Sequence, residues 1–203
     1  MGLQENGLEI KDLKTKIMEE FNASEKYRKY LIELEFNDLT VLTVWGTDMV
    51  DGEDKLLVNG EKLIVLKTAV NIKSVLQKLE APYLDQENYR QWIDEENLND
   101  IYNSNDMKLL SKFEFSSLEE KSTSLTVLSD INLIQDFAIQ VDHSKLLPIF
   151  DQSAMVNLKG FIYDNHFWKG GDKNSFALKK EEKEIVALCN NLYTVFYDSI
   201  SFV

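Results

Sequence analysis

Residues Lys29 to Trp45 read KYLIELEFNDLTVLTVW, and their alternation constrains the fold more tightly than any other stretch of the chain. Tyr30, Ile32, Leu34 and Phe36 recur at every second position, with Glu33 and Glu35 between them. A strand places such residues on opposite faces, whereas a helix would scatter them around its circumference. Asn37-Asp38 interrupts the alternation with two residues suited to a tight turn, and the pattern resumes beyond it. The segment is therefore a β-hairpin with an apolar face, and that face requires a cover.

A second hairpin is expected in KLLVNGEKLIVL, turning at Asn59-Gly60, since both residue types tolerate positive φ. Helices supply the cover. Ile10, Leu13, Ile17 and Phe21 repeat at helical spacing from Leu8 to Phe21, with Asn6 and Glu9 placed as a capping pair. Ile72, Val75, Leu76 and Leu79 mark a helix that must end before Pro82. The next begins at Asp85 as N-cap and turns Tyr89, Trp92 and Ile93 inward. Beyond a polar linker from Asn103 to Asp106, strands are expected near Leu109 to Phe115 and Leu125 to Leu128. A helix from Ile131 to Val141 follows, capped by Asp130, and then an aromatic strand from Val156 to Trp168. After the turn KGGDK, a terminal helix carries Ile185, Leu188, Cys189, Leu192 and Phe196 on one face. The last residues, Ser201-Phe202-Val203, are expected to dock on their own domain. Hairpins mixed with helices outside strict βαβ alternation predict an α+β fold, an antiparallel sheet with helices packed on it, in a single domain over residues 1–203.

The chain of 203 residues carries a formal charge of −13. That charge disfavours nucleic-acid backbones and anionic membranes, both of which need a positive patch, and favours a basic protein partner. A lone Cys189 excludes an internal disulfide framework. The start MGLQENGLEIKDLK lacks the basic and apolar regions of a signal peptide, and it has Asn6 where a myristoylation signal needs Ser or Thr. No apolar run approaches the length of a membrane span, so a cytoplasmic location is expected.

Few motifs carry chemistry. His143, His166 and Cys189 have no zinc-like spacing, and Cys189 lies on an apolar helical stripe where it reads as a core residue. In YDNHFW, Asp164 and His166 would share a face of a strand, the one arrangement that could serve a small hydrolase-like enzyme or a ligand-binding domain. The segments Asp48 to Asp54 and Asp100 to Asp106 fail as calcium loops, because Val50 or Met107 falls where an oxygen ligand is required. No cofactor and no metal is expected.

The remaining signal is acidic and aromatic. From Asp85 to Asp106, the acids Asp85, Glu87, Asp94, Glu95, Glu96, Asp100 and Asp106 face one base, Arg90. Asp85 and Glu87 suit a helix N-terminus, but Asp94, Glu95 and Glu96 crowd the negative end of the same helix without local compensation. Tyr89, Trp92 and Tyr102 lie among them, and Asp48, Asp51, Glu53 and Asp54 form a second acidic loop. Aromatic anchors beside carboxylates suit a surface for a basic protein. The partner-binding residues expected are therefore Tyr89, Trp92, Asp94, Glu95, Glu96, Asp100 and Tyr102, with Asp48, Asp51, Glu53 and Asp54. The function expected is that of a bacterial-type immunity or inhibitor protein, not an enzyme, occluding a basic toxin or nuclease. A subunit of a larger complex, joined through Tyr193, Phe196 and Tyr197, is the other non-enzymatic option.

Overall fold

The structure, a computed structural model, describes residues 23–67, 71–168 and 176–203. The helix expected from Leu8 to Phe21 and the KGGDK turn lie outside them. A short helix, α1 (Ala23–Tyr27), leads through Arg28, at a φ of 52°, into the hairpin of β1 (Lys29–Glu35) and β2 (Thr40–Thr47). The register runs from Lys29 opposite Gly46 to Glu35 opposite Thr40, and the Phe36 N–H closes the Asn37-Asp38 turn on Leu39 O at 2.7 Å. Next come β3 (Asp54–Leu56), β4 (Val58–Asn59) and β5 (Lys62–Val65), then α2 (Ile72–Leu76) and α3 (Gln86–Glu95). Strand β6 (Asn103–Asn105) precedes α4 (Lys108–Ser111), a 3₁₀ turn at Phe115–Glu119 and the long α5 (Lys121–Gln140). The chain ends with α6 (Leu147–Phe150), α7 (Ser153–Ile162), a π turn at Tyr163–Phe167, α8 (Phe176–Lys179), α9 (Glu182–Tyr197) and β7 (Ile200–Phe202).

The fold is α+β as expected, but its sheets are mixed instead of purely antiparallel. One has the order β3-β2-β1-β6 and the other β4-β5-β7, with β6 parallel to β1 and β7 parallel to β5. Leu42 and Leu66 exchange backbone bonds of 2.9 and 2.8 Å and so join the two sheets. The C-terminal residues join the domain through the backbone of β7, with the Val203 N–H on Val65 O, while the Phe202 and Val203 side chains stay exposed.

Both faces of the hairpin are buried. Tyr30, Ile32, Leu34 and Phe36 enter a large core with Val127, Ile131, Ile134 and Phe137 of α5 and Ile185, Leu188, Cys189, Leu192 and Phe196 of α9. On the other face Leu31, Leu42 and Val44 pack with Tyr89, Trp92 and Ile93 of α3. Glu33 and Glu35 keep to that second face as expected, where the Ser104 hydroxyl and, for Glu35, the Lys108 ammonium receive them.

Four local expectations are corrected. The Asn59-Gly60 hairpin turns one residue later: Asn59 pairs with Lys62, and Gly60 takes the first corner at a φ of 59°, so only glycine's freedom is used. No strand forms from Leu109 to Phe115, where α4 ends at Ser111 and irregular chain carries Phe113 into the large core, and Leu125 to Leu128 is helical, with Val127, Leu128 and Ile131 reaching that core at three- and four-residue spacing. Asp130 is consequently a buried residue in the middle of α5 and not its cap. The supposed aromatic strand from Val156 to Trp168 is α7 and the π turn, burying Met155, Leu158 and Ile162.

Candidate functional site

Tyr89 and Trp92 are interior residues and offer no surface to a partner. Trp92 donates its indole N–H to Ser24 Oγ at 3.1 Å, and Ser24 donates from both its hydroxyl (2.5 Å) and its backbone N–H (2.6 Å) to Glu96 Oε2. Glu96 thus receives the start of α1 and orients the hydroxyl that satisfies a buried tryptophan. Glu95 accepts from Tyr27 OH at 2.6 Å and Lys26 Nζ at 2.9 Å, and these bonds hold its carboxyl below the usual range. Asp94 meets Lys73 Nζ at 3.3 Å and Gln77 Nε2 at 3.1 Å. The premise that these three carboxylates lack compensation is therefore overturned: their partners come from α1 and α2, remote in sequence. Asp100 remains exposed and accepts from the Asn97 amide at 2.6 Å.

The loop after β2 is held just as firmly. Asp48 is buried and accepts from Val50 N (3.0 Å), Leu84 N (2.5 Å) and Lys55 Nζ (2.8 Å). Burial opposes its ionisation, but the Lys55 ammonium and the two N–H groups outweigh it and bring the carboxyl down to about 2. Asp85 stands at the N-cap position of α3 without making a cap bond. Its Oδ2 instead accepts from Met49 N at 2.9 Å and from the buried Lys29 ammonium at 3.0 Å. These two carboxylates pin residues 48–50 to residues 84–85 and leave three apolar side chains in solvent: Met49 at 54% exposure, Val50 at 68% and Leu84 at 62%. Asp51 and Glu53 are exposed on the same loop, with Asp51 bonded to Lys55 Nζ at 2.6 Å, and Asp54 accepts from Thr47 Oγ1 at 2.7 Å. The sequence marked the acids of this loop but missed its apolar members; three large apolar residues inside or beside a turn-rich acidic run were the available signal.

A second arrangement joins residues that sequence spacing keeps apart. Tyr30 stacks on Trp45, its cross-strand partner, with ring centroids at 5.5 Å, and meets Tyr102 at a tilt with centroids at 4.2 Å. Trp45 and Tyr102 line a cleft of about 220 Å³ with Asn103, Asn105, Asn132 and Asp136. Burial, reinforced by the charge of Asp54 and opposed by Lys159, pushes the Asp136 carboxyl up to about 6. Behind the cleft, Asn105 Nδ2 donates to Asp130 Oδ1 at 2.9 Å, while Asp130 Oδ2 is buried without a partner; burial lifts this carboxyl to about 7. The larger groove of about 610 Å³ between α2 and α3 is bordered by charges of both signs, Lys78 and Arg90 against Glu80 and Asp94.

The expected pairing of Asp164 and His166 is lost in the π turn, where residues two apart do not share a face. His166 Nε2 meets Leu118 O at 3.0 Å instead. His143 accepts the Leu146 N–H at Nδ1, so Nε2 carries the proton and donates to Ser199 Oγ at 3.0 Å. Cys189 is fully buried as expected, and burial pushes its thiol up to about 12. Among the described residues, no three His, Cys, Asp or Glu side chains gather in a group able to hold a metal ion. None of their helices is long and apolar enough to cross a membrane. The face of Tyr193, Phe196 and Tyr197 is partly used internally: Phe196 is core, Tyr193 OH accepts the Asn37 N–H at 3.2 Å, and Tyr197 OH meets Asp38 at 3.3 Å.

No family model and no curated protein matches this chain. Among solved structures, the SatS C-terminal domain, determined in complex with bromine, superposes with a TM-score of 0.61 at 11% sequence identity, covering 89% of this chain and 96% of that one. At that identity the likeness establishes a shared fold.

Proposed function

We propose that this chain is a non-catalytic protein-binding module, and that it acts as an immunity or inhibitor protein covering the active site of a basic toxin or nuclease. The observation that carries this reading is the pinned apolar trio of Met49, Val50 and Leu84, exposed beside the carboxylates of Asp51 and Glu53. A backbone held in place before contact loses little freedom on binding, and neighbouring acids draw in and orient a cationic surface. The net charge of −13 extends the same attraction over distance. Of the partner-binding residues expected from sequence, Asp51, Glu53, Asp54, Asp94, Glu95, Asp100 and Tyr102 retain exposed side chains. Asp48 and Glu96 serve by shaping the surface.

The test is capture of the partner, followed by titration with a Met49→Ser, Leu84→Ser double variant. Its melting temperature should match that of the parent, because neither side chain is packed, while affinity falls at least tenfold. Raising salt from about 0.05 to about 0.5 M should slow association far more than it speeds dissociation. Unchanged affinity in the double variant would remove this surface from the interface.

A further inference from the structure

We infer that the cleft between β2, β6 and α5 binds an organic cation, a primary ammonium or guanidinium group, against the rings of Trp45 and Tyr102 with Asp136 as its counter-charge. Three independent features lead to this ligand class. The first is charge. Asp136 lines the cleft, and Asp54 adds to its field. Lys159, the cation that acts on Asp136, gives its ammonium to Gln135 Oε1, and among the described residues none forms an ion pair with Asp136.

The second is the direction of the amide network. Asp130 accepts from Asn105 Nδ2, and Asn105 Oδ1 therefore accepts from Asn103 Nδ2, at 3.3 Å. Asn132 likewise gives its Nδ2 to Tyr163 OH at 3.1 Å. The Oδ1 atoms of Asn103 and Asn132 receive no hydrogen bond from the described residues, while each amide keeps a second N–H. With the Asp136 carboxylate in the same lining, these oxygens suit an ammonium or guanidinium donor better than an anion.

The third is the aromatic wall. Tyr30 braces both rings, stacked on Trp45 and tilted against Tyr102, and exposed ring surface beside a carboxylate attracts cations through the ring quadrupole. The volume of about 220 Å³ exceeds several times the roughly 30 Å³ a water occupies in the liquid, enough for a side-chain-sized group.

The cation can be a free amine or a Lys or Arg side chain of a bound protein, and the measurement separates the two sources. Calorimetric titration of the full chain with 1,4-diaminobutane, methylguanidine and a blocked Gly-Lys-Gly peptide, with 1-butanol as the neutral control, reads the site directly. At least one cationic probe should bind with an NMR shift of the Trp45 indole N–H, and butanol should not. Binding of the diamine or methylguanidine assigns a small-molecule site, and binding of the peptide alone assigns a side-chain receptacle. Asp136→Asn should weaken the binding at least tenfold without lowering the melting temperature, and Trp45→Leu should weaken it independently. Equal binding of butanol, unchanged affinity in Asp136→Asn, or no response to any cationic probe at millimolar concentration overturns the proposal. The Met49 and Leu84 surface has no part in this experiment, so the two readings fail separately.

Discussion

At the scale of single residues, Glu96 changes meaning most. On the sequence it is the third of three adjacent acids at the wrong end of a helix, and neutralising Asp94, Glu95 and Glu96 together is expected to leave the protein as stable or more so. In the structure it accepts two bonds from Ser24, which in turn satisfies the Trp92 indole. Removing it strands a backbone N–H and loosens the partner of a buried donor. Glu96→Ala should therefore destabilise the protein by about 1–2 kcal/mol in denaturant unfolding. Asp94→Asn, whose partners lie in solvent, should change stability by less than about 0.5 kcal/mol. A triple neutralisation that raised the melting temperature would restore the sequence expectation.

Among the elements, the β1–β2 hairpin depends on a close approach that only a missing side chain permits. Gly46 sits opposite Lys29, and a Cβ there would lie 2.4 Å from Arg28 O and 2.7 Å from Lys29 Cδ. Lys29 is fully buried, with its ammonium on Thr47 O at 2.6 Å and Asp85 Oδ2 at 3.0 Å, over the Tyr83 ring. The ion pair is thus threaded along the hairpin end and fastens β1 to α3. Gly46→Ala should destabilise by about 1–3 kcal/mol through overpacking. Asp85→Ala should do more, about 3–5 kcal/mol, since it leaves the Lys29 charge buried without its partner. Paired chemical denaturation curves of the two variants would show this order.

Over the whole molecule, the buried carboxylates pull stability in opposite directions with pH. Asp130 and Asp136 are raised to about 7 and about 6, so between the ordinary carboxylate range and those values the folded chain holds more protons than the unfolded one. Their contribution to stability falls as pH rises through that window. Asp48, brought down to about 2, contributes stability that is present above the ordinary range and lost as pH falls toward that value. The melting temperature should therefore rise from pH 8 to pH 5 and drop again below about pH 3.5. Asp130→Asn keeps the oxygen that accepts from Asn105 and removes the unpaired charge, so it should stabilise at pH 8 by about 1–4 kcal/mol and flatten the slope between pH 5 and 8. An unchanged slope would mean that Asp130 does not titrate in that range.

What the sequence by itself determined is local and periodic. The Lys29–Trp45 hairpin, the inward face of Tyr89, Trp92 and Ile93, and the stripe from Ile185 to Phe196 each repeat with the period of their element, and that period is a property of adjacent residues. Local reading failed where apolar spacing fitted both periods, as at Leu109 and Phe113, four residues apart, and where aromatics such as Phe161 and Tyr163 imitated a strand. Only the tertiary structure decided which charges were compensated. Lys26 reaches Glu95, Lys55 reaches Asp48 and Lys29 reaches Asp85, and the first and last of these pairs join residues far apart along the chain. It likewise assembled Trp45, Tyr102 and Asp136 around one cleft from β2, the residue before β6, and α5. An ion pair or a cleft depends on distances across the core, and no spacing along the chain encodes them until the helices have packed on the sheet.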